Sequence, residues 1–209
     1  MILFNVGLDH GLLSCMILNE AQYILTCSIY HVFCVWNSKG QLLKENKIVN
    51  FLFFIDTWQD PKNGELYVII GNDSDVTSYT FNDLNIYKKY SDGKVSNHFS
   101  ARVNDKGLLY ETDRKGDLRI WNFHTGDLIR KIENNVELNG VCLWNDQFVL
   151  AGGAFGKLIL FDLKDEGVKK IIAINESFVR TVISFIYPIY GASVFTYSSN
   201  GTINMIFSI

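Results

Sequence analysis

The side chains that could carry catalysis or bind a metal do not form a recognisable site in the sequence. The chain has four cysteines and four histidines, with no Cys-x-x-Cys pair and no zinc-ligand spacing between the two sets. No Gly-x-Ser-x-Gly motif and no complete phosphate-binding glycine loop occurs. The acidic residues that could pair all lie in turn sequences, where aspartate commonly serves as a turn former: Asp73, Asp75, Asp105, Asp113 and Asp117. We therefore predict no catalytic residue, no metal and no cofactor, and we expect that the protein is not an enzyme.

Composition and charge narrow the classes of partner. The net charge of −3 argues against coating nucleic acid or an anionic membrane by bulk charge. A local basic patch stays possible, because seven basic residues crowd one stretch of the chain: Arg102, Lys106, Arg114, Lys115, Arg119, Arg130 and Lys131. No signal peptide or membrane span stands out, and Cys15, Cys27 and Cys34 lie in apolar runs that favour reduced thiols. We expect an intracellular protein, either cytoplasmic or nuclear.

Five segments of the chain repeat the same order of strand-like runs and turns. Aligning the large residue that ends the equivalent run in each gives Trp36, Tyr79, Trp121, Phe161 and Ile206, spaced 43, 42, 40 and 45 residues apart. A period of ~40–45 residues with four short strands per unit is typical of the blades of a β-propeller. The runs are rich in β-branched and aromatic residues and lack helical periodicity. The sequence therefore predicts an all-β fold.

Glycines recur at one place in three of these repeats. Gly116, Gly156 and Gly201 each stand five residues before the aligned large residue. Glycine at that point supplies a positive-φ turn between two hairpin strands, and Asn200-Gly201 is the strongest hairpin signal in the chain. After the turn, apolar residues alternate, so the aligned large residues Trp36, Tyr79, Trp121 and Phe161 are expected to pack between blades.

The third repeat resembles a unit of the WD-repeat β-propeller family. Residues 117–122, with sequence Asp-Leu-Arg-Ile-Trp-Asn, match the family's Ile-x-Ile-Trp-Asp-like strand, and Thr125-Gly126 match the Thr-Gly that follows it. Trp36-Asn37 and Phe161-Asp162 are degenerate versions of the same motif. The Gly-His dipeptide that precedes each blade in the family, and its hydrogen-bonded tetrad of Asp, His, Ser/Thr and Trp, are missing. The resemblance implies a propeller fold and leaves the subfamily open.

The strand count predicts a single domain over 1–209 with about five four-stranded antiparallel blades. Their approximate bounds are 12–48, 51–90, 97–133, 137–174 and 179–209. The fifth repeat has three strands, so we expect residues 1–6 to pair with the strand at about 202–208 and complete that blade. The alternative is that the chain is part of a larger, seven-bladed propeller.

The WD-repeat resemblance implies a non-enzymatic scaffold that presents the loops of a propeller face to a protein or peptide partner within a larger complex. The candidate partner-binding residues lie in the turns between the second and third strands of the blades: His31, Asp73, Arg114, Lys115, Phe155 and Asn200. Two alternatives stay open. One is a propeller enzyme or small-ligand binder that uses the central channel, and the other is a subunit associated with RNA or a ribonucleoprotein.

Overall fold

The fold is built almost entirely from β-strands. A computed structural model of the chain describes residues 12–18, 23–28, 31–165, 167–188 and 191–207, with the backbone alone at 12–18 and 187. In these ranges the chain forms nineteen strands and one 3-10 turn, with no α-helix. The predicted all-β fold of antiparallel sheets is confirmed. The chain divides into two compact units, residues 1–98 and 99–209.

Unit 1 contains two four-stranded antiparallel sheets, in each of which the strands pair in chain order. Sheet A consists of β1 (Leu12–Leu18), β2 (Tyr23–Ser28), β3 (Val32–Trp36) and β4 (Leu42–Lys47). Sheet B consists of β5 (Leu52–Gln59), β6 (Leu66–Asn72), β7 (Val76–Thr80) and β8 (Ile86–Tyr90).

Unit 2 contains three further sheets of the same meander topology, the first of which starts at the boundary between the units. Sheet C consists of β9 (His98–Val103), β10 (Leu108–Asp113), β11 (Leu118–Asn122) and β12 (Leu128–Ile132). Sheet D consists of β13 (Leu138–Leu143), β14 (Phe148–Gly153), β15 (Lys157–Asp162) and β16 (Gly167–Ala173), with the 3-10 turn Ala154–Gly156 between β14 and β15. Sheet E consists of β17 (Val179–Tyr187), β18 (Gly191–Ser198) and β19 (Ile203–Phe207).

Sheet E therefore has three strands in the described part of the chain. The segment expected to add a fourth strand, residues 1–6, lies outside the described residues.

Apolar side chains fill the space between consecutive sheets within each unit. Sheets A and B share a buried cluster that includes Leu25, Val35 and Tyr79. Sheets C and D share another that includes Ile120 and Phe161. A third cluster joins sheets D and E. Burial of this apolar surface, at roughly 25 cal/mol per Å², is the main force holding neighbouring sheets together.

The cluster between sheets D and E is formed by side chains from the facing surfaces of both sheets. Its buried members are Cys142, Leu150, Leu158, Leu160, Val179, Val182 and Val194.

The aligned large residues differ in their surroundings. Tyr79, Trp121 and Phe161 are buried, whereas Trp36 is half-buried. The indole Nε1 of Trp36 donates a hydrogen bond to Thr26 Oγ1 at 2.9 Å. Trp and Thr are two of the four residue types of the WD-repeat tetrad, and this one bond does not form the tetrad. The bond escaped prediction because it joins β2 to β3, and their register is set by the turn between them.

A buried charge network occupies the hairpin formed by β10 and β11. Arg119 is fully buried and donates to Asp113 Oδ2 and Asp117 Oδ2, both at 2.9 Å, and to Glu111 Oε1 at 3.3 Å. Lys131 on β12 adds an ion pair with Asp117 at 2.8 Å. Buried charges of this kind are tolerated only when they are paired.

This network reduces the basic patch that the sequence left possible over residues 102–131. Arg119 and Lys131 are tied to internal carboxylates, and Lys106 pairs with Asp146 at 2.8 Å. Asp117 lies two residues before Arg119, but Glu111 is on the opposite strand and Asp146 is 40 residues from Lys106, so counting basic residues along the chain overestimated the exposed positive charge.

The described residues were compared with the length and hydropathy that a membrane-spanning helix needs. No helix in the described ranges is long and apolar enough to cross a bilayer.

Candidate partner-binding surface

The turns that follow the second strand of each sheet in unit 2 lie beside the linkers between sheets. The amide of Ala154 donates to the carbonyl of Glu137 at 2.9 Å, and the amide of Ile174 donates to the carbonyl of Gly156 at 2.8 Å. The amide of Ser199 donates to the carbonyl of Phe178 at 2.9 Å. We call the surface made by turns 114–117, 154–156 and 199–202 and linkers 133–137 and 174–178 the turn face.

The first turn of the turn face is fixed by Asp113. Its Oδ1 accepts hydrogen bonds from the amides of Lys115 and Asp117, each at 3.0 Å. Gly116 has a φ of 92°, and a Cβ on it would collide with the carbonyl oxygens of linker 133–137. Because glycine alone fits there, the turn can press against the linker and leave Arg114 and Lys115 exposed.

The second turn displays an aromatic ring. Phe155 is 71% exposed and has φ 55° and ψ 36°, the left-handed region that few residues other than glycine adopt. The neighbouring Gly156 is also left-handed, with φ 64°, and a Cβ on it would collide with the carbonyl of Asn175. Contacts on both sides of the turn therefore hold the backbone in this conformation and direct the ring to solvent.

The third turn is a compact Asn-Gly hairpin turn. Asn200 is exposed, and its Oδ1 accepts a hydrogen bond from the amide of Thr202 at 3.0 Å, while Gly201 has φ 85°. The hydroxyls of Ser177 and Ser199 lie 2.6 Å apart, which joins this turn to linker 174–178. The turn is thus fixed both by its own side chain and by the linker.

The turn face carries charges of both signs as well as the aromatic ring. Arg114 Nε lies 3.8 Å from Glu137 Oε2, and Glu176 is exposed on the other linker. On β12, hydrogen bonds to Asp117 and then Glu133 raise the pKa of the Lys131 ammonium group, so it stays charged. The turn face therefore combines an exposed apolar group with a mixed polar surround.

The structure brings together four of the six predicted partner-binding residues. Arg114, Lys115, Phe155 and Asn200 all belong to the turn face of unit 2. The linkers that complete this surface were not predicted, because the repeats align turns and strands whereas the linkers vary in sequence. Their position beside the turns follows from tertiary packing, which left no signal in the sequence.

His31 and Asp73 lie in unit 1, each in a turn between second and third strands. His31 has φ 73°, its ring centroid is 5.1 Å from that of Phe51, and its Nδ1 is buried without a hydrogen bond to any described residue. Asp73 is half-buried in the turn before β7. The side chain that organises that turn is Asn72, whose Oδ1 accepts from the amides of Ser74 at 2.7 Å and Asp75 at 2.9 Å. Asp75 Oδ1 in turn accepts from Asn72 Nδ2 at 2.7 Å.

A small cavity beside β9, β13 and β17 of unit 2 is where a propeller enzyme or ligand binder would hold its ligand. It has a volume of about 220 Å³ and is lined by residues that include Arg102, Cys142 and Ser184. Burial raises the pKa of the Cys142 thiol to about 11, so the thiol is protonated at neutral pH and a poor nucleophile. Among the described residues, no group of three potential metal ligands comes together.

Comparison with known proteins identifies the fold. No family model matches the sequence, and no curated protein matches it. Among solved structures, the WD40 β-propeller domain of Doa1 superposes with a TM-score of 0.71 at 16% sequence identity, over 91% of this chain and 62% of that one. The chain has the β-propeller fold. The computationally designed protein Ika8 is similar as well, with a TM-score of 0.70 at 13% identity over 94% of this chain and 58% of that one.

These comparisons support the propeller part of the WD-repeat resemblance. The family assignment itself has no support from sequence, because the two identities are too low to show more than the fold. The propeller spans about three-fifths of the length of each of the two structures, 58% and 62%.

Proposed function

We propose that this propeller is a non-enzymatic scaffold that binds a protein or peptide partner through the turn face of unit 2. The observation that carries the proposal is Phe155, a large aromatic side chain that is 71% exposed on a backbone in the left-handed conformation. Exposed aromatic rings in the centre of a polar surround are the usual anchors of protein interfaces.

The rigidity of the turn favours binding. The turn that displays Phe155 is hydrogen-bonded to a linker on each side, through Glu137 before it and Ile174 after it. A partner that covers the ring would therefore pay little conformational entropy to order the backbone, and preorganisation of this kind strengthens affinity.

The charges of unit 2 favour a protein over RNA as the partner. Arg119 is buried, Lys131 and Lys106 have carboxylate partners, and Arg114 lies near Glu137. Phosphate recognition draws on unpaired surface cations, and this stretch of chain offers fewer of them than its sequence suggests. A peptide with an apolar side chain for Phe155 and mixed charges around it fits the turn face better.

The raised pKa of Cys142 favours a scaffold over a thiol-dependent enzyme at the inner cavity. Cysteine nucleophiles need a thiolate near neutral pH, whereas the environment of this thiol favours the protonated form.

The test is affinity purification with quantitative mass spectrometry on three forms of the chain. Wild type and Ile129→Ala should recover the same partners, because Ile129 is a similarly exposed apolar residue on β12, away from the turn face. Phe155→Ala should reduce recovery of the main partner at least tenfold, a loss of about 1.4 kcal/mol or more. Equal recovery by all three proteins would reject the turn face as the binding site.

A further inference from the structure

Arg180 is an exposed arginine on β17, just after linker 174–178 of the turn face. Other arginines of unit 2 have carboxylate partners: Arg119 binds Asp113 and Asp117, and Arg114 lies near Glu137. Among the described residues, Arg180 has no carboxylate partner. Its positive charge is therefore free to bind a group outside the chain.

Two neutral groups hold the guanidinium group of Arg180. Its Nη1 donates to Asn139 Oδ1 at 3.4 Å, a bond longer than the usual range of about 2.7–3.2 Å. Its Cζ lies 5.3 Å from the centre of the Phe178 ring, which attracts the cation without using its N–H donors. These contacts orient the guanidinium group and leave most of its donors without an acceptor among the described residues.

The side-chain amide of Asn139 also lacks an acceptor. Asn139 is 2% exposed on β13, and its Nδ2 donates to no described residue. The two amide atoms can be told apart because a guanidinium group only donates, so the atom that faces Arg180 is the oxygen. Nδ2 is bonded to the same carbon as that oxygen and therefore belongs to the same site. A buried donor without an acceptor is unfavourable, so the site favours a ligand that supplies one.

The group that both side chains lack is an acceptor with a negative charge. A carboxylate can accept from the guanidinium group with one oxygen and from Asn139 Nδ2 with the other, and such charge-assisted bonds are stronger than neutral ones. Nδ2 is screened from solvent, but the long, exposed side chain of Arg180 can change rotamer to admit a carboxylate, because one long hydrogen bond and one ring hold it. Nucleic acid recognition draws on several cations, so a single arginine fits an acidic side chain better.

This site borders the turn face. Phe178, whose ring contacts Arg180, is the last residue of linker 174–178. It packs against the same buried cluster as Ala154, the residue before Phe155. The pair formed by Arg180 and Asn139 therefore lies at the edge of the surface that displays the Phe155 ring.

We propose that Arg180 and Asn139 bind an aspartate or glutamate side chain of the protein or peptide that covers the turn face. The carboxylate bridges the guanidinium group and Asn139 Nδ2. The inference rests on the proposed function, because it names the charge that the partner of the turn face carries.

Selection from a random phage-displayed peptide library on the full chain tests the proposal. Wild type should select peptides that combine an apolar residue with an aspartate or glutamate. For a selected peptide made synthetically, Arg180→Gln should weaken binding about tenfold or more, as expected for the loss of hydrogen bonds to a charged group. When the acidic residue of the peptide is replaced by its amide, Arg180→Gln should change the affinity by less than about twofold, because the charge pair is already absent.

The matched control is Lys170→Gln, which removes the same charge from an exposed residue in the middle of β16, an outer strand of sheet D. It should bind the acidic peptide as wild type does. Asn139→Asp replaces Nδ2 by an oxygen and places a carboxylate beside Arg180, so it should weaken binding as much as Arg180→Gln does. If Asn139→Asp loses its β-type circular dichroism, Asn139→Ser removes the donor without adding charge and should also bind the peptide more weakly than wild type.

Several results would overturn the proposal. They are a selection that enriches no acidic residue, unchanged affinity in Arg180→Gln, an equal loss with the neutral peptide, and wild-type affinity in the folded Asn139 variant. An Arg180-dependent affinity for a single-stranded RNA oligonucleotide, with none for acidic peptides, would also reject it.

Phe155→Ala separates this proposal from the proposed function. Loss of peptide binding in Phe155→Ala alone would uphold the turn face and reject the acidic site. Loss in Arg180→Gln alone would uphold the acidic site and reject Phe155 as the anchor.

Discussion

Replacing Phe155 by glycine and by alanine separates its backbone strain from its exposed ring. At φ 55° and ψ 36°, a residue with a Cβ costs about 1–2 kcal/mol relative to the right-handed conformation. Glycine removes that cost but loses about 0.4–1 kcal/mol through the greater freedom of the unfolded chain. Because both substitutions delete the same ring contacts, Phe155→Gly should be more stable than Phe155→Ala, by up to roughly 1.5 kcal/mol.

The assay is urea unfolding of four variants. Ile129→Gly and Ile129→Ala provide the matched pair, because Ile129 is an exposed strand residue without positive φ. There the ordinary order should hold, with alanine more stable by about 0.5–1 kcal/mol. In thermal melts, 1 kcal/mol corresponds to about 2–4 °C for a chain of this length. If alanine is the more stable residue at both positions, Phe155 does not occupy the left-handed region.

Binding should follow the side chain rather than the backbone. Phe155→Gly and Phe155→Ala both remove the ring, so both should lose the partner to the same extent although their stabilities differ. A purely structural role would instead make partner recovery follow the free energy of unfolding, with the glycine variant retaining more of it.

Three further predictions concern the interior. Arg119→Met should lower the free energy of unfolding by about 3–5 kcal/mol in urea titrations, because it leaves the buried carboxylates of Asp113 and Asp117 without their guanidinium partner. A loss below about 1 kcal/mol would contradict the buried network. Trp121→Ala should cost about 3–5 kcal/mol by the same measurement while the folded fraction still binds the partner; loss of binding with unchanged stability would mean that Trp121 is a contact residue. The unfolded Cys142 thiol loses its proton near pH 9.0, whereas burial raises the pKa of the folded thiol to about 11. The free energy of unfolding should therefore fall as pH rises from 9 to 11, and that of Cys142→Ala should fall less steeply. Identical slopes would refute the coupling between thiol protonation and folding.

The strands and their turns could be predicted because both leave a local signal. Alternating apolar residues mark the strands of sheets C and D, and a glycine that must adopt positive φ marks Gly116 and Gly201. These signals depend on residues close together in the chain, and the repeat shows the strand pattern in five segments and the turn glycine in three.

The buried network of sheet C was missed although its register was within reach. Once Gly116 fixes the turn, Glu111 and Arg119 are directly opposite each other on β10 and β11. The sequence could therefore have indicated the ion pair, but it gave no sign that both groups are fully buried. Burial depends on the packing of neighbouring sheets, which no short stretch of sequence encodes.

The turn that displays Phe155 differs from the other turns of the turn face in how it is held. In sheets C and E, the side-chain oxygens of Asp113 and Asn200 fix the turns locally, so each turn would keep its shape in an isolated hairpin. The turn before β15 has no such side chain and is held by hydrogen bonds to the two linkers. Its conformation therefore depends on β13 and β16, the outer strands of sheet D, because Glu137 directly precedes β13 and Ile174 directly follows β16. An isolated β14–β15 hairpin should not hold Phe155 in the left-handed conformation, and a partner that recognises the ring in this position recognises the folded unit.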